Sequence, residues 1–432
     1  MAAREDRSAA SPERGTIASV VTGGRPAQGP AARRVGIALA GGGPLGAIYE
    51  IGALNALADC LRGIDLTALD VYVGVSSGAF LAAGLANGIS PVALSHMFIE
   101  SETAEVSLDP SILLRPALKE YAARARSLGP LVLQSIWRYL VDGQTMSLLG
   151  SIQRLGRALP TGIFDGQAID RALQAIFAAR GRTNDFRALR RTLCLVATDL
   201  DSGVAVEFGS RGHDAVPISK AVQASAALPG LFPPVAIGGR YYVDGALKKT
   251  LHASVALQHG ARLVICVNPL VPFDPESPEA HPDGIARLVD GGLPVVLSQT
   301  FRSIIHSRMQ VGIERYAREY RNADVVLFEP NRHDAEMFFA NVFSYASRRR
   351  LAEHAYQKTR QELFERRHQL APVFARHGIT LDLDALRDPS RELVRGVKKP
   401  RRPHGAMAIA ATLAHTLDDL ERYLRHHAVE PA

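Results

Sequence analysis

The chain has 432 residues, of which 47% are apolar and 22% charged, with a formal net charge of +7. That composition excludes a disordered or fibrous chain and leaves room for one large domain with additions, or two or three average ones. The basic surplus suits an anionic membrane surface; aromatic residues at 6%, with no basic-aromatic interleaving, argue against nucleic acid.

Residues 1–34 hold arginine, alanine, serine, proline and glycine but no continuous apolar core, so they do not read as a secretory signal. Glu5, Asp6 and Glu13 count against a transit peptide, and the segment is expected to be a disordered arm. Val35 to Ala40 is a short apolar run of buried-strand type. It ends in the glycine-rich turn Gly41-Gly42-Gly43-Pro44-Leu45-Gly46, after which apolar residues recur at helical spacing to Leu61. Asp70 to Val75 is a second buried strand, followed by Ser76 and a helix of small residues from Ser77 to Asn87. Ser90-Pro91 starts another helix with a cap and an N1 proline. Two strand-helix units in succession predict a parallel sheet covered on both faces. Val71 to Ile99 contains no Asp, Glu, Lys or Arg, but its glycines and Pro91 divide it into strand, turn and helices rather than one membrane span.

From Glu102 to Pro160 strand signals vanish, and the stretch reads as a helical insert. Asp165 caps a helix that Gly181 stops. Thr192 to Leu200 and Val204 to Phe208 form a strand and its return, and Pro217 to Ala227 is helical. Leu228 to Val235 is a proline-set bend, and Arg240 to Val243 a strand closing in Asp244-Gly245-Ala246. Arg262 to Val267 and Val325 to Phe328 are the last strands, separated by an acidic, proline-rich loop at Pro272 to Pro282. Beyond Pro330 the sequence is helical and arginine-rich. Lys248, Lys249 and the run Arg348-Arg349-Arg350 read as solvated charge. Cys60, Cys194 and Cys266 lie in apolar stretches without a C-x-x-C, which favours reduced thiols over disulfides or a thiolate zinc site.

The chemistry converges on Gly74-Val75-Ser76-Ser77-Gly78, a G-x-S-x-G between strand and helix. In that context it reads as a nucleophile elbow, a turn so tight that the positions two before and two after the serine must lack bulk. A serine hydroxyl needs a base within reach and donors aimed at the developing oxyanion. Gly41, Gly42 and Gly43 supply bare amides at a helix start, where unpaired N–H groups collect; Pro44 has none to give. The same glycines, with Gly46, make a G-x-G-x-x-G register, but the next strand runs straight into the elbow with no acidic ribose contact. For the base, the order Ser76, Asp244, His252 permits a triad, while Asp244 at a strand end permits a direct contact with Ser76.

These stretches together resemble the patatin-like phospholipases. The matching pieces are Gly41-Gly42-Gly43-x-x-Gly46, Gly74-x-Ser76-x-Gly78, Ala197-Thr198-Asp199-Leu200 before Gly203, Ala224 to Pro234, and Asp244-Gly245-Ala246. The resemblance spans about Val35 to Asn268. It implies a three-layer α/β/α fold with a mostly parallel central sheet, and calcium-independent hydrolysis of lipid acyl esters by a Ser-Asp dyad without histidine. By position, Ser76 is then the nucleophile, Asp244 its base and Gly41 to Gly43 the oxyanion hole, with no cofactor and no metal. One departure is Leu45, where the family commonly has Arg or Lys; it shifts the expected substrate from a phosphate-bearing lipid toward a neutral ester or thioester.

The organisation expected is an arm over 1–34, an acyl hydrolase domain over 35–330 with its insert at about 102–160, and a helical basic extension over 331–432. The expected partners are a lipid acyl ester and, peripherally, an anionic membrane, with cytoplasmic placement. Acyl transfer or thioester cleavage on the same fold, and a membrane-docking protein with a vestigial site, are the alternatives.

Overall fold

The computed structural model describes residues 20–22, 34–99, 117, 160–249, 251–274, 288–339 and 345–394. Its centre is a nine-stranded sheet. In chain order the strands are β1 (Val20–Val21), β2 (Val35–Leu39), β4 (Val71–Val75), β5 (Thr192–Asp199), β6 (Ala205–Phe208), β7 (Val235–Ile237), β8 (Arg240–Asp244), β9 (Leu263–Val267) and β10 (Asp324–Phe328). A small ribbon pairs β3 (Leu61–Arg62) with β11 (Thr380–Leu381). Across the main sheet the order is β1-β10-β9-β2-β4-β5-β8-β7, with β6 also on β5. The run β10-β9-β2-β4-β5 is parallel; β1, β6, β7 and β8 pair antiparallel.

The strands are nearly continuous apolar runs because both faces are covered. Alternation sorts their side chains. Ile37, Leu39, Tyr72, Ile265 and Val267 join one core, whereas Ala38, Val71, Val73, Val75, Val264 and Cys266 join the other. The first core is closed by α1 (Gly43–Cys60), α2 (Ser77–Ala86), α3 (Pro91–Phe98), α4 (Gln167–Phe177) and α5 (Ile218–Ser225). The second is closed by α6 (Ala253–Gln258) and α7 (Gly292–Glu319), a 28-residue helix. The result is the three-layer α/β/α architecture expected. Beyond β10 come α8 (Ala335–Phe339), α9 (Tyr345–Glu365), α10 (Arg367–Ala375) and α11 (Leu383–Arg387). They share the first core: α9 lies so close on α1 that a Cβ at Gly52 would stand 2.6 Å from the Ala352 carbonyl oxygen.

Several expectations shift. Val20–Val21, inside the expected arm, lengthens the sheet at its edge by pairing with Val325 and Val326. The proline bend ends in a strand, β7, that hairpins with β8 through Gly238 and Gly239, both at positive φ. Arg348 is buried and donates to the Phe98 carbonyl at 3.3 Å, and Arg350 pairs with Glu336 at 2.9 Å, so that arginine run is not a solvated patch. Lys249 sits with its ammonium 4.9 Å from the Tyr316 ring centre and donates to Ser254, whereas Lys248 is exposed as expected. The three cysteines are free and buried. The helical insert at about 102–160 falls almost wholly outside the described residues, as does most of the arm and everything past 394. Among the described residues no helix is long and apolar enough to cross a membrane.

Candidate active site

In an open α/β sheet, ligands bind beyond the carboxyl ends of the strands, where the strand order reverses. Here the order departs from β2 in both directions, to β4 and β5 on one side and to β9 and β10 on the other. The segments that follow β2, β4 and β9 meet at that edge. Pro269, after β9, packs against the glycine turn after β2: a Cβ on Gly42 would stand 2.7 Å from its ring, and one on Gly46 2.9 Å.

Ser76 follows β4 directly. Its φ of 52° is the only positive value at a non-glycine residue among those described. Such a conformation costs on the order of 1–3 kcal/mol and persists only where the surroundings enforce it. The enforcement is legible. The Ser76 amide donates to the Ser225 hydroxyl at 2.9 Å, and that hydroxyl donates to the Val196 carbonyl at 2.6 Å, tying the elbow to α5 and β5. Gly78 leaves no room for a side chain, since its Cβ would lie 2.5 Å from the carbonyl oxygens of both Leu39 and Ala40. Its amide donates to the Ala40 carbonyl at 3.1 Å, which fixes α2 against the end of β2.

Asp244 arrives from the other side of β5. Val75 pairs with Val196, and Asp244 with Ala197, so Ser76 and Asp244 stand level with one strand between them. The following Gly245 permits the approach: a Cβ there would lie 2.2 Å from the Val196 oxygen. Asp244 is 2% exposed and Ser76 8%. The Asp244 carboxyl accepts from the Ala246 amide at 2.8 Å and lies within hydrogen-bonding reach of the Ser76 hydroxyl. Burial pushes its pKa up to about 6, and the bonds from Ser76 and Ala246 only partly pull it back. Its own carbonyl accepts from the Thr198 hydroxyl at 3.2 Å, so β8 is held on both sides of the carboxylate.

Gly41 forms the third wall. A Cβ on it would sit 3.0 Å from the Ser76 Cβ, 3.7 Å from the Ser76 Oγ and 3.2 Å from the Ala246 Cβ. Gly41 is buried, Gly42 half-buried and Gly43 exposed at φ 60°, so the turn rises from the site to the surface. The arrangement can attack an acyl carbonyl with a hydroxyl, receive its proton on a carboxylate and present backbone amides at a helix start.

Two residues quoted for the family pattern carry roles the sequence did not reveal. Ser225 is the elbow's clamp; a hydroxyl on the buried face of a short helix, like that of Ser219, was the available signal. Asp199 accepts from the amides of Asp201 and Ser202 and pairs with Arg240 at 2.7 Å, joining the β5 turn to the start of β8. Those bonds hold its carboxyl down to about 2, so it is a turn brace rather than a second base. His252 lies at the start of α6, buried, and among the described residues its Nε2 has no hydrogen-bond partner. Burial lowers its pKa to about 3, leaving it neutral. Among the described residues no three His, Cys, Asp or Glu side chains cluster as metal ligands.

The sequence profile of the family described as patatin-like phospholipase matches residues 37–257, a little over half of the chain. Two uncharacterized NTE family proteins, from Mycobacterium bovis and Mycobacterium tuberculosis, are each 26% identical over 283 residues, covering 63% of this chain and 38% of theirs. The chain therefore spans well under half the length of these relatives. Among solved structures, VipD from Legionella pneumophila aligns at 17% identity and a TM-score of 0.38, over 77% of this chain and 67% of that one. The type III effector ExoU aligns at 17% identity and a TM-score of 0.27, over 92% and 76%. With the family profile running from β2 through α6, across Ser76, Asp244 and the glycine turn, the chain belongs to the patatin-like phospholipase family.

Proposed function

We propose that the chain is a serine acyl hydrolase that cleaves lipid acyl esters, phospholipase A or lysophospholipase in type, through Ser76 and Asp244. The observation that carries this reading is a strained, buried serine within reach of a buried carboxyl whose pKa is about 6. At neutral pH that carboxyl is mostly ionised, yet basic enough to take a proton from a hydroxyl.

Asp244 accepts the Ser76 proton as Oγ attacks the acyl carbonyl. The amides of Gly41, Gly42 and Gly43 hold the oxyanion of the tetrahedral intermediate. Its collapse expels the alcohol, which takes the proton back from Asp244. Water, deprotonated by Asp244, then attacks the acyl-Ser76 ester, and the second collapse releases the fatty acid and restores the serine. A fluorophosphonate probe should label the wild type at Ser76 and leave Ser76→Ala unlabelled. Ester turnover should fall about a thousandfold in Asp244→Asn. Full turnover in either variant removes the dyad, and equal loss in His252→Ala restores a triad.

Leu45 favours a second reading on the same machinery, in which a neutral ester or thioester donates its acyl group to an acceptor other than water. A labelled acyl donor separates the two: free fatty acid as sole product excludes transfer.

A further inference from the structure

The longest helix among the described residues is built inside out. On α7 the side chains turned inward include Arg302 and His306, ahead of Met309, Ile313 and Tyr316. Its outward face carries Leu293, Val296, Leu297, Phe301 and Ile304, all among the most exposed large apolar residues, with Leu293 at 69% and Phe301 at 47%. Leu293, Leu297, Phe301, Ile304, Arg308, Val311, Arg315 and Arg318 recur every three or four residues, so they form one continuous stripe along the helix. The stripe is apolar over its first three turns; over the last three turns, arginines alternate with the exposed Val311. Exposed apolar surface of this extent marks an interaction face rather than scattered surface residues.

The position of α7 says what that face meets. Gln299 exchanges two hydrogen bonds with the Phe273 backbone, at 3.0 and 2.6 Å, and Arg302 donates to the Val271 carbonyl at 3.2 Å. Arg308 donates to the Leu247 carbonyl at 3.3 Å, three residues past Asp244. The helix is thus stapled to the segments that leave β9 and β8, at the strand ends where Ser76 opens. Leu247, itself 37% exposed, extends the apolar stripe toward the site.

We propose that the outward stripe of α7 docks this protein on an anionic lipid bilayer, with Leu293, Leu297, Phe301 and Ile304 seated among the acyl chains and Arg308, Arg315 and Arg318 against the headgroups. This rests on the lipid-ester reading of the site, since a bilayer is then both support and source of substrate. An apolar sector joined to a cationic one is the chemistry of a helix lying in a membrane interface. Charge complementarity favours anionic lipid: Arg308 and Arg318 add positive charge to the stripe, Arg315 is offset by Glu319 at 2.5 Å, and the chain carries a surplus of +7.

The test uses the full chain with Ser76→Ala, so that vesicles stay intact, in flotation with phosphatidylcholine alone and with equal parts phosphatidylcholine and phosphatidylglycerol. Binding should favour the anionic vesicles and weaken as salt rises. Adding Leu293→Asp, Leu297→Asp and Phe301→Asp should lower partitioning at least tenfold without changing the thermal midpoint. Unchanged partitioning of that variant, or no binding by its parent, overturns the proposal. A lipid-free oligomer that the three aspartates dissolve also overturns it, because the face then serves a second copy of the chain. Independently, Phe301→Trp in a Trp137→Phe background should shift its emission to the blue on anionic vesicles; an unmoved spectrum counts against insertion. With the serine restored, the aspartate variant should keep wild-type turnover of a soluble short-chain ester. If the wild type cleaves no such ester, the hydrolase reading fails while the flotation result stands by itself.

Discussion

At the scale of single residues, the site is a set of local costs held in place by neighbours. Ser76 occupies a backbone conformation that favours glycine, so Ser76→Gly should remove the strain along with the hydroxyl. Its unfolding free energy is expected to rise by about 1 kcal/mol, read by denaturant titration, while ester turnover disappears. A fall in stability would show that Ser76 is not strained. Asp244 makes a parallel prediction through pH. Its folded pKa of about 6 lies above the value in an unfolded chain, so its contribution is most favourable when protonated and is lost as pH rises through 6. Asp244→Asn keeps an acceptor for the Ala246 amide and cannot ionise. The variant should therefore be more stable than wild type by about 1–3 kcal/mol at pH 8, with the gain fading toward pH 4. On the proposed mechanism the same group sets the rate: kcat/KM should climb with pH along a limb centred near 6, since a base acts only when ionised. A flat profile from pH 5 to 8 would exclude Asp244 as that base.

Among elements, close approach of backbones does most of the positioning. Gly78 brings α2 against the end of β2, and Gly245 brings the turn after β8 against β5. Both face carbonyl oxygens, which cannot swing aside as a side chain can. Gly78→Ala is expected to cost about 2–4 kcal/mol in chemical denaturation and to misplace Ser76. An alanine tolerated there with full stability would mean the elbow is looser than its packing implies. The glycine spacing around the serine was readable because a strand-turn-helix is local: each glycine answers to residues a few positions away. The hairpin β7–β8 was half-readable, since prolines announced a bend but not the short strand that closes it. Helix α7 escaped sequence reading for a different reason. Gly291, Gly292 and Pro294 at its start resemble a loop, and its buried face carries Arg302 and His306, so no single apolar stripe points inward. Those positions are interior through tertiary contacts alone, Arg302 to the Val271 carbonyl and His306 to Arg332.

Across the whole molecule, the described helices past β10 are joined to the layers around the sheet by shared core rather than by a linker. Leu351, Ala352 and Ala355 of α9 lie in the same apolar cluster as α1, and Asp324 at the start of β10 is gripped by Arg376 at 2.7 Å and His377 at 2.8 Å. A chain ended after Pro330 is therefore expected to lose cooperative unfolding in calorimetry, whereas the full chain should melt with one main transition. A truncated protein that melts sharply near the parent temperature would mark 331–432 as a separable addition.

What the sequence determined unaided was whatever depends on neighbours in the chain: buried strands, the elbow, the glycine turn, and the alternation that demands cover on both faces. Which side chain stands beside Ser76 is not such a property. Asp244 and His252 were both eligible in the sequence, and the register of β8 on β5 is what brings Asp244 level with the serine. The burial that lifts Asp244 to about 6, the Ser225 clamp and the outward face of α7 likewise exist only once the layers have closed, because each depends on which distant groups replace water around a side chain.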